Sequence, residues 1–87
     1  MSFVWDSAKR LSNLAKHDVD FTSVELFEFD RALVRASLQS GEPRLEAYAP
    51  LAGRLHVLIY SIETATIRVI SLRKANKREF RQWTRET

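Results

Sequence analysis

Ile67-Arg68-Val69-Ile70-Ser71-Leu72-Arg73-Lys74-Ala75-Asn76-Lys77-Arg78-Glu79-Phe80-Arg81-Gln82-Trp83 runs a strand pattern straight into a basic helical segment. The β-branched residues of its first half suit a pleated surface. Asn76 followed three residues later by Glu79 has the spacing of a helix N-cap and its reciprocal partner. Phe80 and Trp83 are the only large apolar residues of that helix, so it docks by a narrow stripe and leaves a basic face open. From Arg68 to Thr87 seven Lys/Arg stand against Glu79 and Glu86, a local charge of +5 in a chain whose net charge is +3. This asymmetry is the footprint of a surface that meets phosphates or an acidic partner. It also fits a helix face that is simply solvated.

Working back from this stretch, Leu55 to Ile62 forms a strand joined to Thr66–Arg73 through Glu63-Thr64-Ala65. Leu45, Ala47 and Ala49 alternate with Arg44, Glu46 and Tyr48, and Pro50-Leu51-Ala52-Gly53 supplies a turn. Ala32, Val34, Ala36 and Leu38 alternate with Arg31, Leu33, Arg35 and Ser37, with a further turn at Ser40-Gly41-Glu42-Pro43. Sequential hairpins of this kind make an antiparallel meander.

Upstream, Phe3-Val4-Trp5 is a short apolar strand that stops at Asp6, an N-cap for a helix whose apolar stripe is Ala8, Leu11, Leu14 and Ala15. Lys16-His17 falls at its C-terminal end, where positive charge is favoured by the helix dipole. Thr22 and Glu25 have capping-box spacing, with Phe21 and Leu26 placed as a hydrophobic staple, so a second short helix is expected. The expected fold class is α+β: a curved antiparallel sheet of four to five strands, two N-terminal helices and one C-terminal basic helix, with the helices on one face.

Eighty-seven residues, 45% hydrophobic and 29% charged, suit one domain spanning residues 1–87. Without cysteine, apolar packing must hold it. No run approaches the length of a membrane span, and Met1-Ser2-Phe3-Val4-Trp5-Asp6 lacks the basic and apolar regions of a leader. A soluble cytoplasmic protein without membrane association is expected. Two glycines exclude a glycine-rich phosphate loop, and two histidines outside any ligand spacing disfavour a metal hydrolase. No cofactor is expected.

If Ile62 pairs with Thr66, then Tyr60 lies opposite Arg68, Leu58 opposite Ile70 and His56 opposite Leu72. Val57, Ile59, Ile67 and Val69 would then face the core, leaving His56, Tyr60 and Arg68 on an open face beside the basic stretch. An imidazole, a phenol and a guanidinium match what metal-independent RNA cleavage needs: a base for the substrate 2′-hydroxyl, an acid for the leaving 5′-oxygen and a cation for the phosphorane. A one-residue change of register separates them.

The pieces Phe3-x-Trp5-Asp6-x-x-Lys9, Asn13-x-x-Lys16-His17, Phe21, Gly53-Arg54-Leu55, Tyr60 and Ile67-Arg68-Val69-Ile70-Ser71-x-Arg73-Lys74-Ala75-x-x-x-Glu79 together resemble the BrnT family of type II toxins. The resemblance implies a RelE-like ribonuclease fold, RNA cleavage that inhibits translation, and neutralisation by a BrnA-type antitoxin in a dimer or heterotetramer. It adds Lys16 and His17 to Arg68, Tyr60 and His56 as candidate catalytic residues. Arg73, Lys74, Lys77, Arg78 and Arg81 are the candidate RNA-binding set. Three positions depart from the family pattern: Asp18 for a glycine, Glu63-Thr64-Ala65 for a hairpin with Arg-Gly, and Leu72 for a small residue. Asp18 is expected to weaken an anion site beside His17. A catalytically inert nucleic-acid- or antitoxin-binding module with the same fold is the alternative, and a purely structural partner subunit a third.

Overall fold

The computed structural model describes residues 2–39 and 42–87; of the turn expected at Ser40-Gly41-Glu42-Pro43, the first two residues lie outside the described residues, and Glu42 and Pro43 belong to a strand, paired with Gln39 and Leu38. Five strands, β1 (Ser2–Val4), β2 (Leu33–Gln39), β3 (Glu42–Leu51), β4 (Arg54–Glu63) and β5 (Thr66–Lys74), form one sheet in the order β1-β5-β4-β3-β2. The β2–β5 meander is antiparallel as the hairpin pattern predicts, and β1 adds to the edge of β5 in parallel, with Phe3 beside Ile67. Helix α1 (Ser7–His17) follows β1, and α2 (Lys77–Glu86) follows β5.

Asp6 caps α1, its carboxylate accepting from the backbone N–H groups of Ala8 and Lys9 at 2.8 and 3.1 Å. The expected apolar stripe does not dock this helix: Leu11 is 59% exposed, and the residue that α1 buries is Asn13. Strand β1 ends at a position opposite Arg68, so the rest of the β5 edge needs other partners for its backbone. The Asn13 amide supplies them as a strand would. Its Nδ2 donates to the carbonyls of Leu72 (2.7 Å) and Val19 (3.0 Å), and its Oδ1 accepts from the Leu72 N–H (3.2 Å).

Between the helix and β2 the chain makes two 3₁₀ turns, Phe21–Leu26 and Phe29–Arg31. The first is capped by Asp20, which accepts from the Thr22 N–H at 3.0 Å and is gripped by Arg10 at 2.9 Å. Asp20 thus takes the capping place expected for Thr22, and Leu26, 61% exposed, forms no staple.

The sheet is covered on both faces, not one. Leu58, Tyr60, Ile67, Val69 and Leu72 pack against Phe21, Val24 and Phe27, whereas Leu55, Val57 and Ile59 pack against Ala75 and Trp83 of the C-terminal segment. Strand β4 reads Leu55-His56-Val57-Leu58-Ile59-Tyr60, apolar on both alternations, and such a strand needs cover on both sides. The Asn76–Glu79 capping box that starts α2 is formed.

The hairpin register differs from the expected one. Glu63 pairs with Thr66, Ser61 with Arg68 and Tyr60 with Val69; beyond a bulge at Ile70, Ile59 pairs with Ser71 and Leu58 with Leu72. Val69 and Leu72, three apart, both enter the core, which strict alternation forbids and one extra residue permits.

Candidate active site

The register separates the expected trio. Tyr60 is buried in the main core with its ring edge-on to Phe29 at 6.1 Å, and burial raises its pKa. Arg68, one residue past Ile67 and opposite Ser61, points to the other face, where it is exposed and bound to Glu63 at 2.8 Å. His56 is buried, and its Nδ1–H donates to the Arg54 carbonyl at 2.7 Å. Burial is the main cause that lowers its pKa, partly opposed by that hydrogen bond and aided by the charges of Arg54 and Lys74. Tyr60, His56 and Arg68 therefore form no joint site, because the one-residue shift set at the β4–β5 turn, which pairs Glu63 with Thr66, puts the phenol and the guanidinium on opposite faces.

Lys16 and His17 are placed differently. On α1, Lys9, Asn13 and Lys16 recur at helical spacing on one face. Asn13, tied to the β5 edge, holds that face against the sheet. The result is a concavity lined by Lys9, Ser12, Lys16 and His17 from α1, Ile70 and Ser71 from the β5 bulge, and Arg44 from β3. Sharing Lys9, Arg44 and Ile70, it opens into a second hollow of about 760 Å³ that reaches Ser61, Glu63 and Arg68. The two carboxylates on its border, Glu42 and Glu63, are each engaged by an arginine, Arg44 at 3.4 Å and Arg68 at 2.8 Å. Arg68 holds Glu63 below its ordinary pKa.

His17 is half-buried at the end of α1, where Asp18 adopts the left-handed conformation (φ 57°) and returns its N–H to the Leu14 carbonyl at 2.9 Å. That is the helix-ending position at which glycine is commonest, so the Asp18 departure falls where the backbone favours glycine. Thr64, in the altered β4–β5 turn, likewise has φ 53°. Desolvation lowers the His17 pKa, and the charges of Lys16 and Arg73 lower it further. Both effects favour the neutral, proton-accepting form of the imidazole.

The expected RNA-binding residues divide. Arg73 borders His17 but is half-buried and locked to Glu79 by two bonds of 2.9 and 2.8 Å. Lys74 is exposed opposite His56. Lys77, Arg78 and Arg81 are exposed on α2, outside the residues that line the α1 concavity. The concavity instead contains Lys9 and Arg44, which the sequence reading passed over. Lys9 shares the spacing of Asn13 and Lys16 and was open to that inference. Arg44 comes from another hairpin, and no local spacing announces it. Its side chain is only 18% exposed, and its Nε is buried with no hydrogen-bond partner among the described residues.

Among the described residues no helix is long and apolar enough to cross a membrane. A family described as "Ribonuclease toxin, BrnT, of type II toxin-antitoxin system" matches residues 5–79. The fold is similar to the crystal structure of the Brucella abortus ribonuclease toxin BrnT, with 31% identity and a TM-score of 0.72 over 88% of this chain and 99% of that one. Comparison with curated proteins gives no match.

Proposed function

Because the chain belongs to the BrnT ribonuclease toxin family of type II toxin–antitoxin systems, we propose that its α1 concavity cleaves RNA without metal, by attack of the 2′-hydroxyl on the adjacent phosphorus. The observation that carries this reading is a half-buried imidazole of lowered pKa that shares its concavity with Lys9, Lys16 and Arg44, with Arg68 in the adjoining hollow. His17 accepts the 2′-hydroxyl proton as the new O2′–P bond forms. The P–O5′ bond breaks, and the Lys16 ammonium gives its proton to the departing 5′-oxygen, leaving a 2′,3′-cyclic phosphate and a 5′-hydroxyl. Arg44 and Arg68 stabilise the extra charge on the phosphorane. A site whose bordering carboxylates are already paired with arginines offers a divalent cation little attraction, whereas it offers a phosphate a great deal.

On this reading the chain acts in the cytoplasm, inhibits translation by degrading RNA and is neutralised by a BrnA-type antitoxin. Incubating the purified protein with single-stranded RNA in excess chelator is the direct test, with product ends mapped and salt varied. Cleavage should persist, leave cyclic phosphate ends and weaken steeply with salt as phosphate counterions cease to be released. Salt-dependent binding without cleavage would instead favour the inert binding module, and a requirement for divalent metal would remove the mechanism.

A further inference from the structure

Helix α2 meets the β3–β4 hairpin at the far end of the sheet surface from the α1 concavity. Both walls are fixed. Glu79 accepts from the Asn76 N–H at 2.9 Å while Arg73 grips its carboxylate, so the start of α2 is pinned to β5. The hairpin turns tightly through Ala52 (φ 50°) and Gly53 (φ 82°), and the left-handed conformation at Gly53 suits glycine whatever space surrounds it. Trp83 seals the lower part, packing with Leu55 and Val57 and donating its Nε1–H to the Arg31 carbonyl at 3.0 Å.

Phe80, one turn earlier, has no such cover. It is 51% exposed, its ring 6.2 Å from that of Trp83. Between it and the hairpin lies a trough of about 570 Å³ with Leu55 and Ala75 in its floor. The trough continues past Phe80 toward Pro50 and Trp83. Arg54, Lys77 and Arg81 stand around it. Among the described residues six other arginines are paired with carboxylates, and these three cations have no ion-pair partner.

We propose that this trough is where the antitoxin docks, through an acidic amphipathic segment that inserts a bulky apolar side chain beside Phe80 and sets carboxylates against Arg54, Lys77 and Arg81. The identity of the partner rests on the toxin reading above. An apolar floor within a charged rim is the anatomy of a protein interface, and an aromatic anchor at its centre is the usual hot spot. The rim of three unneutralised cations selects an acidic occupant. RNA is the poorer fit, since the floor here is aliphatic, whereas the cations of the α1 concavity stand beside Ser12, Ser71 and His17. Fixed walls reduce the ordering cost of binding.

The test uses the full chain and the purified protein encoded by the adjoining reading frame, with binding followed by calorimetry and RNA cleavage assayed on the free chain. Phe80→Ala and Arg54→Glu should each weaken binding roughly tenfold or more, and together about a hundredfold. RNA cleavage, far-UV circular dichroism and the melting temperature should stay at wild-type values. A double variant that binds within about threefold of wild type overturns the proposal, as does loss of RNA cleavage with partner binding intact, which would give the trough to RNA. A wild-type chain that cleaves RNA but binds no partner overturns the docking proposal alone. One that binds through Phe80 and Arg54 yet cleaves nothing supports the docking site and overturns the ribonuclease reading.

Discussion

The concavity beside α1 and the trough beside α2 are both ringed by cations, and what separates them is the floor. Ser71, Ser12 and a half-buried imidazole line the first; Leu55, Ala75 and Phe80 line the second. Positive charge over a polar floor can hold a phosphate and move a proton. The same charge over an apolar floor can only steer and anchor. The +5 stretch from Arg68 to Thr87 reads as one surface in sequence. In the fold Arg68 belongs to the first region, Lys77 and Arg81 to the second, and Arg73, held by Glu79, stands between them.

The sharpest way to break this comparison is to remove the proton acceptor. His17→Gln should lower kcat for RNA cleavage by about 10²–10⁴, the ordinary contribution of a positioned general base, with antitoxin affinity unchanged. Arg44→Ala comes next, with a loss of roughly 10²–10³ in kcat expected for one preorganised donor aimed at developing charge. Arg68→Ala should cost less than Arg44→Ala, because its guanidinium is exposed and already neutralised by Glu63. Single-turnover rates on one RNA rank all three. If Arg68→Ala proves the more damaging, the reacting phosphate lies in the outer hollow and not beside His17.

How much of this was legible follows from which interactions are local. Alternation and turn residues exposed all four strands of the meander, and Asp6 and Asn76 marked their helices correctly, because these signals act within a few residues. Register was not legible from alternation, since the turn takes only Thr64-Ala65 and pairs Glu63 with Thr66, and the bulge at Ile70 shows only as the three-residue step from Val69 to Leu72. The docking of α1 was hidden for another reason. A buried Asn13 makes sense only once β1 has stopped short and left the Leu72 backbone without a strand. Lys16-His17 looked like a helix end until the family motif raised it, and Arg44 reaches the site only through the β3 register. The C-terminal helix was read as docking by a stripe of Phe80 and Trp83; Trp83 does dock, but Phe80 is left 51% exposed, and it gains meaning only from the Gly53 turn opposite.

A smaller effect should follow at the boundary between the two regions. Glu79→Gln removes a carboxylate that both caps α2 and holds Arg73, and should cost about 1 kcal/mol in urea denaturation near pH 7, modest because Arg73 is one-third exposed. Arg73 lowers the Glu79 pKa from its ordinary 4.5. The charged pair's contribution is thus present above about pH 4.5 and is lost as pH falls through the depressed folded value. Wild type and variant should converge in acid. A gap that persists at low pH would mean that the pair is not what pins α2.

The smallest expected change concerns the tuning of His17. Burial lowers its pKa first, and the Lys16 charge adds to that. In Lys16→Ala the imidazolium loses one repulsive neighbour, so the His17 pKa should move upward toward its ordinary 6.5 while remaining below it, because the larger cause, desolvation, is untouched. The titration can be followed by NMR on the His17 ring in the free protein, without reference to activity. The acid limb of any residual cleavage should move with it, since kcat/KM reports the free enzyme's base. His56, buried near Arg54 and Lys74, is the internal control, because Lys16 is not among the charges that shift it. If the two histidines respond alike, Lys16 acts through the whole molecule and not through the concavity. If neither moves, the proximity of Lys16 and His17 does not set the proton acceptor, and burial with the Arg73 charge makes the imidazole a base.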